Sequence, residues 1–487
     1  MKEKESNVTG ELKFLSRKQI PVEMHKPKVV QKLNFVPIER RLAALEEGGY
    51  NTFLLETKDI FLDMLTDSGI NAMSDAQTAS MFMADEAYAG SSSFIELKKA
   101  ITEVLGKRLI LPVHQGRAAE NILSVRYVKK GDIVPMNYHF TTTLAHIENN
   151  GGSMVQFFCK EATELQSNAP FKGNMDCDKL RAFMAETPVE KVPFIRMECS
   201  TNLLGGQPFS IANLREVKGI AAKAGVPLVM DASLMGENAY MIKMREEEFK
   251  NATIGEIIMT MCDLVDIVYF SARKFSSSRG GIICTNHQGI FDGMKGLVPL
   301  FEGFLTYGGI PLRDIEAMTV GIRESLDINV ISQSPSFIDY MVKELIALGI
   351  PVVAPGGALG CHINAMSFLS HIPQKEYPAG ALAAAFFLIS GIRGMERGTM
   401  SNSRDSEGDD ILADMELLRL AFPRRLYSLS HTEYTIDRLI WLFKNRELVG
   451  GLKFVEEPKV LRFFMGKLAP IGDWTQKLMA KFREDFS

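Results

Sequence analysis

The stretch IVYFSARKFSSSRGGIICT, residues Ile267 to Thr285, runs as an apolar strand into Arg273 and Lys274 and then breaks into serines and glycines. Desolvating an ammonium at the end of a strand is costly unless an anion pairs with it or chemistry uses it. Taken alone, Lys274 reads as the first solvated residue after a strand. The surrounding pattern changes that reading. Between Thr66 and Ser325 short apolar runs each precede a turn and a helix-like stretch: RLILPVH before QGRAAENILSVRYV, then VPFIRMECS, VPLVMDAS, LVDIVYFSARK and GGIICT. Strands that are apolar throughout and alternate with helices predict an α/β fold with a mainly parallel sheet covered on both faces. After Arg313, DIEAMTVGIRESLD turns helical, and IPVVAP, GCHINAMSFL and RLAFPRRLY supply separate strands of a smaller α+β domain. The expected division is an arm with the first small-domain elements over 1–60, a large α/β domain over 61–325 and the small domain over 326–487.

A chain of 487 residues with 46% hydrophobic content has enough apolar sequence for more than one lobe. The net charge of −4 comes from interspersed acids and bases, so neither nucleic acid nor an anionic membrane is expected as a partner; a small molecule is. Six cysteines lie mostly in apolar runs without a CxxC pair, which predicts reduced thiols, no zinc site and a cytoplasmic location. The N-terminal segment has no apolar core of a secretory signal. GALAAAFFLISGI, Gly380 to Ile392, is shorter than the ~20 residues of a membrane span and predicts a buried helix. No internal repeat or low-complexity tract is evident.

HQGRAAEN, His114 to Asn121, follows a strand and opens a helix. A glycine at such a turn lets backbone N–H groups approach an anion, the helix N-terminus adds partial positive charge, and Arg117 can add a fork. This is a candidate phosphate cradle, and it lacks the GxGxxG and Walker A patterns of dinucleotide and P-loop sites. VPLVMDAS puts Asp231 at the end of a buried strand, where ionisation needs a cationic partner; the alternative role is a cap on the helix starting near Met235 and Gly236. A phosphate cradle, a strand-end Asp and a strand-end Lys ask for a ligand with a phosphate, a basic ring nitrogen and an aldehyde. Pyridoxal phosphate has all three.

Those segments, with GYNTFLL, LTDSGINAMSD, DEAYAGS, FTTT, NLLGGQP, MERG and LRFF, follow in order from about Pro37 to Phe464. Together they resemble the β-eliminating lyases, which include tyrosine phenol-lyase and tryptophanase, within the fold type I pyridoxal phosphate enzymes. The resemblance implies that Lys274 forms the Schiff base and moves the Cα proton. Gln115, Gly116, Arg117, Ser271 and Arg273 would hold the phosphate, Asp231 the pyridinium nitrogen, and Asn202 the phenolic oxygen, with Phe140 stacked on the ring. Arg419, helped by Thr66, Ser68 and Asn202, would clamp the substrate carboxylate, and Tyr88 would act as general acid toward the leaving group. Phe53, Phe463 and Phe464 would wall an aromatic pocket in which Thr141 and Arg397 read a phenolic hydroxyl. The implied reaction is β-elimination from an aromatic L-amino acid, leaning to L-tyrosine, in a homo-oligomer (dimer or tetramer) with Tyr88 and Tyr307 reaching the cofactor from different chains. The alternatives are β-elimination or β-replacement on another β-substituted amino acid, including carbon–sulfur cleavage, and transamination.

Three departures touch the cofactor end. The family places an arginine where this chain has Leu234, a lysine where it has Arg273, and a longer loop than FSSSR after the Schiff-base lysine. The family's monovalent-cation (potassium) site would use Gly69, Glu86 and a carbonyl of that shortened loop.

Overall fold

The computed structural model describes residues 14–16, 19–459 and 461–486. Its centre is a seven-stranded sheet of β1 (Leu109–Val113), β2 (Ile133–Met136), β3 (Ser153–Gln156), β4 (Ile195–Glu198), β5 (Leu228–Asp231), β6 (Ile267–Ser271) and β7 (Gly281–Thr285). The spatial order is β1-β7-β6-β5-β4-β2-β3. Pairings are parallel except at β7, which lies antiparallel to both β1 and β6. The segment between β6 and β7 is too short for a parallel crossover, so GGIICT has to return in the opposite direction.

Every residue of β4, β5, β6 and β7 is buried, as the unbroken apolar runs require of strands covered on both faces. The helices that matter for the site are α1 (Gly116–Tyr127), α2 (Thr141–Asn149), α3 (Met235–Arg245), the short α4 (Ala272–Phe275) and α5 (Leu312–Glu324). Beyond them come α6 (Gln333–Ala347) and α7 (Pro378–Ser390). All of α7 is buried, which explains its lack of a polar face. Among the described residues, no helix is long and apolar enough to cross a membrane.

A second sheet, antiparallel in the order β9-β10-β8, joins β8 (Gly360–Asn364), β9 (Met395–Arg397) and β10 (Leu417–Ala421). IPVVAP, expected as a strand, makes only the isolated bridges Val352–Ile363 and Gln166–Ala354. Its prolines, Pro351 and Pro355, have no N–H to extend a ladder. Apolar clusters on the two faces of the large sheet draw on residues from Leu97 to Ile331. A separate cluster joins Ile38–Met64 to Phe337–Leu478, so both ends of the chain build the second core.

Helix α5 crosses directly over the loop after Lys274. A Cβ on Gly321 would lie 2.0 Å from the Ser276 carbonyl oxygen and 2.5 Å from Gln77 Nε2. Gly321→Ala is therefore expected to destabilise the fold by about 1–3 kcal/mol through overpacking. A urea titration measures this as a lower midpoint, and an unchanged midpoint would contradict the close packing.

Candidate active site at the carboxyl ends of the strands

The parallel strands point their carboxyl ends at a cavity of about 310 Å³, where an open α/β sheet places its ligand crevice. It gathers residues from six distant parts of the sequence: Gln115, Gly116 and Arg117; Phe140; Asn202; Asp231; Ser271, Arg273 and Lys274; and Arg397 with Arg419. Thr66, Ser68, Phe53, Phe463 and Phe464 complete the wall. Thr141 lies beside it, with Arg397 Nη1 directed at Thr141 Oγ1 at 3.5 Å.

Gln115 precedes α1 without capping it by its side chain, and Gly116 approaches Ser271 so closely that a Cβ would come within 3.0 Å of the serine Cβ. Glycine is needed there to bring the helix terminus against the β6 end. Arg273 is flanked by Arg117 and Arg279, and burial together with those neighbouring charges lowers its pKa. Converging guanidiniums at a helix N-terminus suit a phosphate dianion.

Lys274 sits in α4, wedged between β6 and β7, rather than at the strand end itself. Its Nζ lies 3.6 Å from Asp67 Oδ1 and 5.8 Å from the centroid of the Phe140 ring. The backbone around it is fastened from several sides. Ser325 Oγ and Arg424 Nη1 donate to the Phe275 carbonyl at 2.6 and 2.8 Å, and Gln77 Nε2 donates to that of Ser276 at 2.8 Å.

Asp231 does not cap α3; its Oδ1 accepts from the Ser233 N–H at 3.1 Å. Its cationic partner is Arg196, whose Nη2 donates to Oδ2 at 2.8 Å. Arg196, Glu198, Glu120 and Tyr269 were not singled out from the sequence, yet all but Arg196 line the cavity. The readable signal was RMECS, where Arg196 and Glu198 alternate onto one face of an otherwise apolar strand. Leu234 also lines the cavity and packs in a small cluster with Met241, Ala358 and Leu359. Arg279 lies beside Gly69.

Arg419 and Arg397 are buried and held by neutral acceptors. Arg419 donates to Asn202 Oδ1 at 2.8 Å and to the Leu65 carbonyl at 2.6 Å, and the Nε of each arginine has no partner. Burial pushes Arg397 down to about 10 and Arg419 well below the usual guanidinium range. Two such cations call for anionic or strongly accepting groups on the ligand. The Phe53, Phe463 and Phe464 rings pack edge-on and tilted with centroids 3.9–5.6 Å apart, forming an aromatic wall.

Tyr88 lies outside the cavity. It is 69% exposed and stacks on Phe304, with the Tyr307 ring 5.4 Å away. Glu86 faces Arg313 at 4.0 Å, and the two guanidiniums of Arg273 and Arg279 crowd Gly69.

The beta-eliminating lyase family model matches residues 63–438. A tyrosine phenol-lyase of Pasteurella multocida is 43% identical over 92% of this chain and 99% of its own length. Another, from Symbiobacterium, is 41% identical over 92% and 99%. Among solved structures, Bna3p of Saccharomyces cerevisiae aligns with a TM-score of 0.61 at 16% identity, covering 86% of this chain and all of its own. A serine palmitoyltransferase of Sphingomonas wittichii aligns with a TM-score of 0.56 at 13% identity, covering 85% and 97%. The distant structures share the fold, and the close relatives and the family match show that this chain belongs to the β-eliminating lyases.

Proposed function

We propose that the chain is a pyridoxal phosphate-dependent carbon–carbon lyase that cleaves L-tyrosine to phenol, pyruvate and ammonia. The observation that carries this reading is the pairing, in one cavity, of a lysine beside a guanidinium-lined helix terminus with two buried arginines that have only neutral partners. The phosphate fits the cradle of Gln115, Gly116, Arg117, Ser271 and Arg273. Phe140 would hold the face of the ring and Asp231 its nitrogen. When bound, pyridoxal phosphate supplies an electron-withdrawing ring conjugated to the substrate Cα.

The chain's own residues do the rest. Lys274 holds the cofactor and then takes the Cα proton on Nζ. Arg419 grips the α-carboxylate, and its bond to Asn202 keeps the guanidinium planar to that group. Arg397 and Thr141 hold the phenolic hydroxyl, while Phe53, Phe463 and Phe464 exclude water from the aromatic ring. Tyr88 gives a proton to the departing carbon. The charge on Arg397 also suits an acidic β-substituent, so a panel of β-substituted L-amino acids, with pyruvate and the released group measured, tests the assignment. Pyruvate without phenol from L-tyrosine would contradict it.

Tyr307 is half-buried and the exposed Tyr88 ring packs on it within the same chain, so the two do not reach one cofactor from different chains as expected. Because Tyr88 lies outside its own chain's cavity, it is assigned to the cavity of a neighbouring copy in a homo-oligomer. Lys274→Ala and Tyr88→Phe chains, each inactive alone, are expected to regain partial activity when mixed and reassembled. Failure of every hybrid to turn over substrate would remove Tyr88 from the neighbouring site. The six cysteines are all free thiols, which supports a reducing compartment such as the cytoplasm.

A further inference from the structure

Arg196 has no task in the reaction above, although it is a fully buried guanidinium set directly behind Asp231. Its Nη2 donates to Asp231 Oδ2 at 2.8 Å and its Nε to the Tyr269 hydroxyl at 2.9 Å. The Tyr269 hydroxyl in turn donates to the same aspartate oxygen at 3.2 Å. A carboxylate with one oxygen held by a guanidinium and a phenol is a weaker proton acceptor than a free one. We propose that Arg196 is a positioning residue that lowers the affinity of the cofactor's ring nitrogen for its proton, by neutralising Asp231 from behind. The ring then becomes an electron sink whose strength titrates, instead of a permanent cation. The inference rests on the pyridoxal phosphate reading.

The other charged groups around this point set the sign. Glu198, next along β4, comes within 3.7 Å of Arg196 Nη1, and Glu120 on α1 within 4.0 Å of Nη2. Burial and the adjacent Asp231 push Glu198 up to about 8 against the pull of Arg196. Glu120 accepts hydroxyl bonds from Thr142 and Thr143 at 2.6 and 2.5 Å. Burial holds Tyr269 and Cys199 neutral by raising their pKa values, and holds His139 neutral by lowering its own. Lys274 is the cofactor's attachment point. Arg196 is the guanidinium that faces the carboxyl groups of Asp231, Glu198 and Glu120. Removing Arg196 leaves more negative charge facing the ring nitrogen, so its proton is held more tightly.

The test loads the holoenzyme with pyridoxal phosphate carrying nitrogen-15 in the ring and follows that resonance from about pH 6 to about pH 10. The wild type is expected to move from the protonated to the unprotonated position within this window. Arg196→Met should raise the midpoint by at least about one pH unit, a tenfold gain in proton affinity. Arg196→Lys, which keeps the charge, should restore a midpoint close to wild type. Tyr269→Phe should shift it in the same direction as Arg196→Met by a smaller amount, and it decides the matter if Arg196→Met does not fold. A wild-type resonance fixed at the protonated position, or midpoints that stay or fall in the folded variants, would overturn the proposal. Failure of the label to attach at Lys274 would instead contradict the cofactor reading.

Discussion

Lys274→Ala protein is expected to lose covalent retention of pyridoxal phosphate and to turn over every substrate at least about a hundredfold to ten-thousandfold more slowly, the range for a positioned proton-transfer group. The structure gives reasons to expect a clean result. The α4 backbone is held by Gln77, Ser325 and Arg424, and none of these bonds uses the lysine side chain. The alanine protein should therefore fold and keep its phosphate cradle, binding the cofactor without a covalent link. Borohydride reduction of the wild type followed by peptide mapping checks the assignment, with the label expected on Lys274 alone. A label on another lysine would end the scheme.

The two arginines should separate by substrate. Removing one partner of a buried charged interaction costs about 2–5 kcal/mol, or roughly thirtyfold to four-thousandfold in affinity. Arg419→Ala is expected to weaken all amino acid substrates alike, because every one presents the same α-carboxylate. Arg397→Ala should reduce kcat/KM for L-tyrosine far more than for a substrate with a good uncharged leaving group. Equal losses on both substrates in the Arg397 variant would mean that this side chain supports the cavity wall instead of reading the substituent.

The parallel sheet was legible because its strands are apolar on both faces, and α7 because nothing in it could face water. The cradle was legible because glycine and arginine at a strand-to-helix turn have few other uses. The floor of the cavity was harder. Arg196 and Glu198 look like interruptions of a strand, and only the pairing of β4 with β5, which sets Glu198 opposite Asp231, shows that they meet the aspartate. IPVVAP failed as a strand for a reason already in its letters, since its prolines cannot donate. Tyr88 is the remaining case: DEAYAGS resembles the family's motif, but within the chain the side chain lies outside the cavity, stacked on Phe304 beside Tyr307.

The second core, built from both ends of the chain, bears on synthesis. The clusters on the large sheet need nothing beyond Ile331. Phe53, Thr66 and Ser68, however, await the segments carrying Arg397, Arg419, Phe463 and Phe464 to close the cavity. At about 5–20 residues per second on the ribosome, the interval from Ile331 to Leu478 lasts roughly 7 to 30 s. During it a nascent chain holds a nearly finished phosphate cradle and an unsealed apolar flank. A truncated product ending between Ile331 and Arg397 should capture cofactor weakly, lack both Arg397 and Arg419, and depend on chaperones.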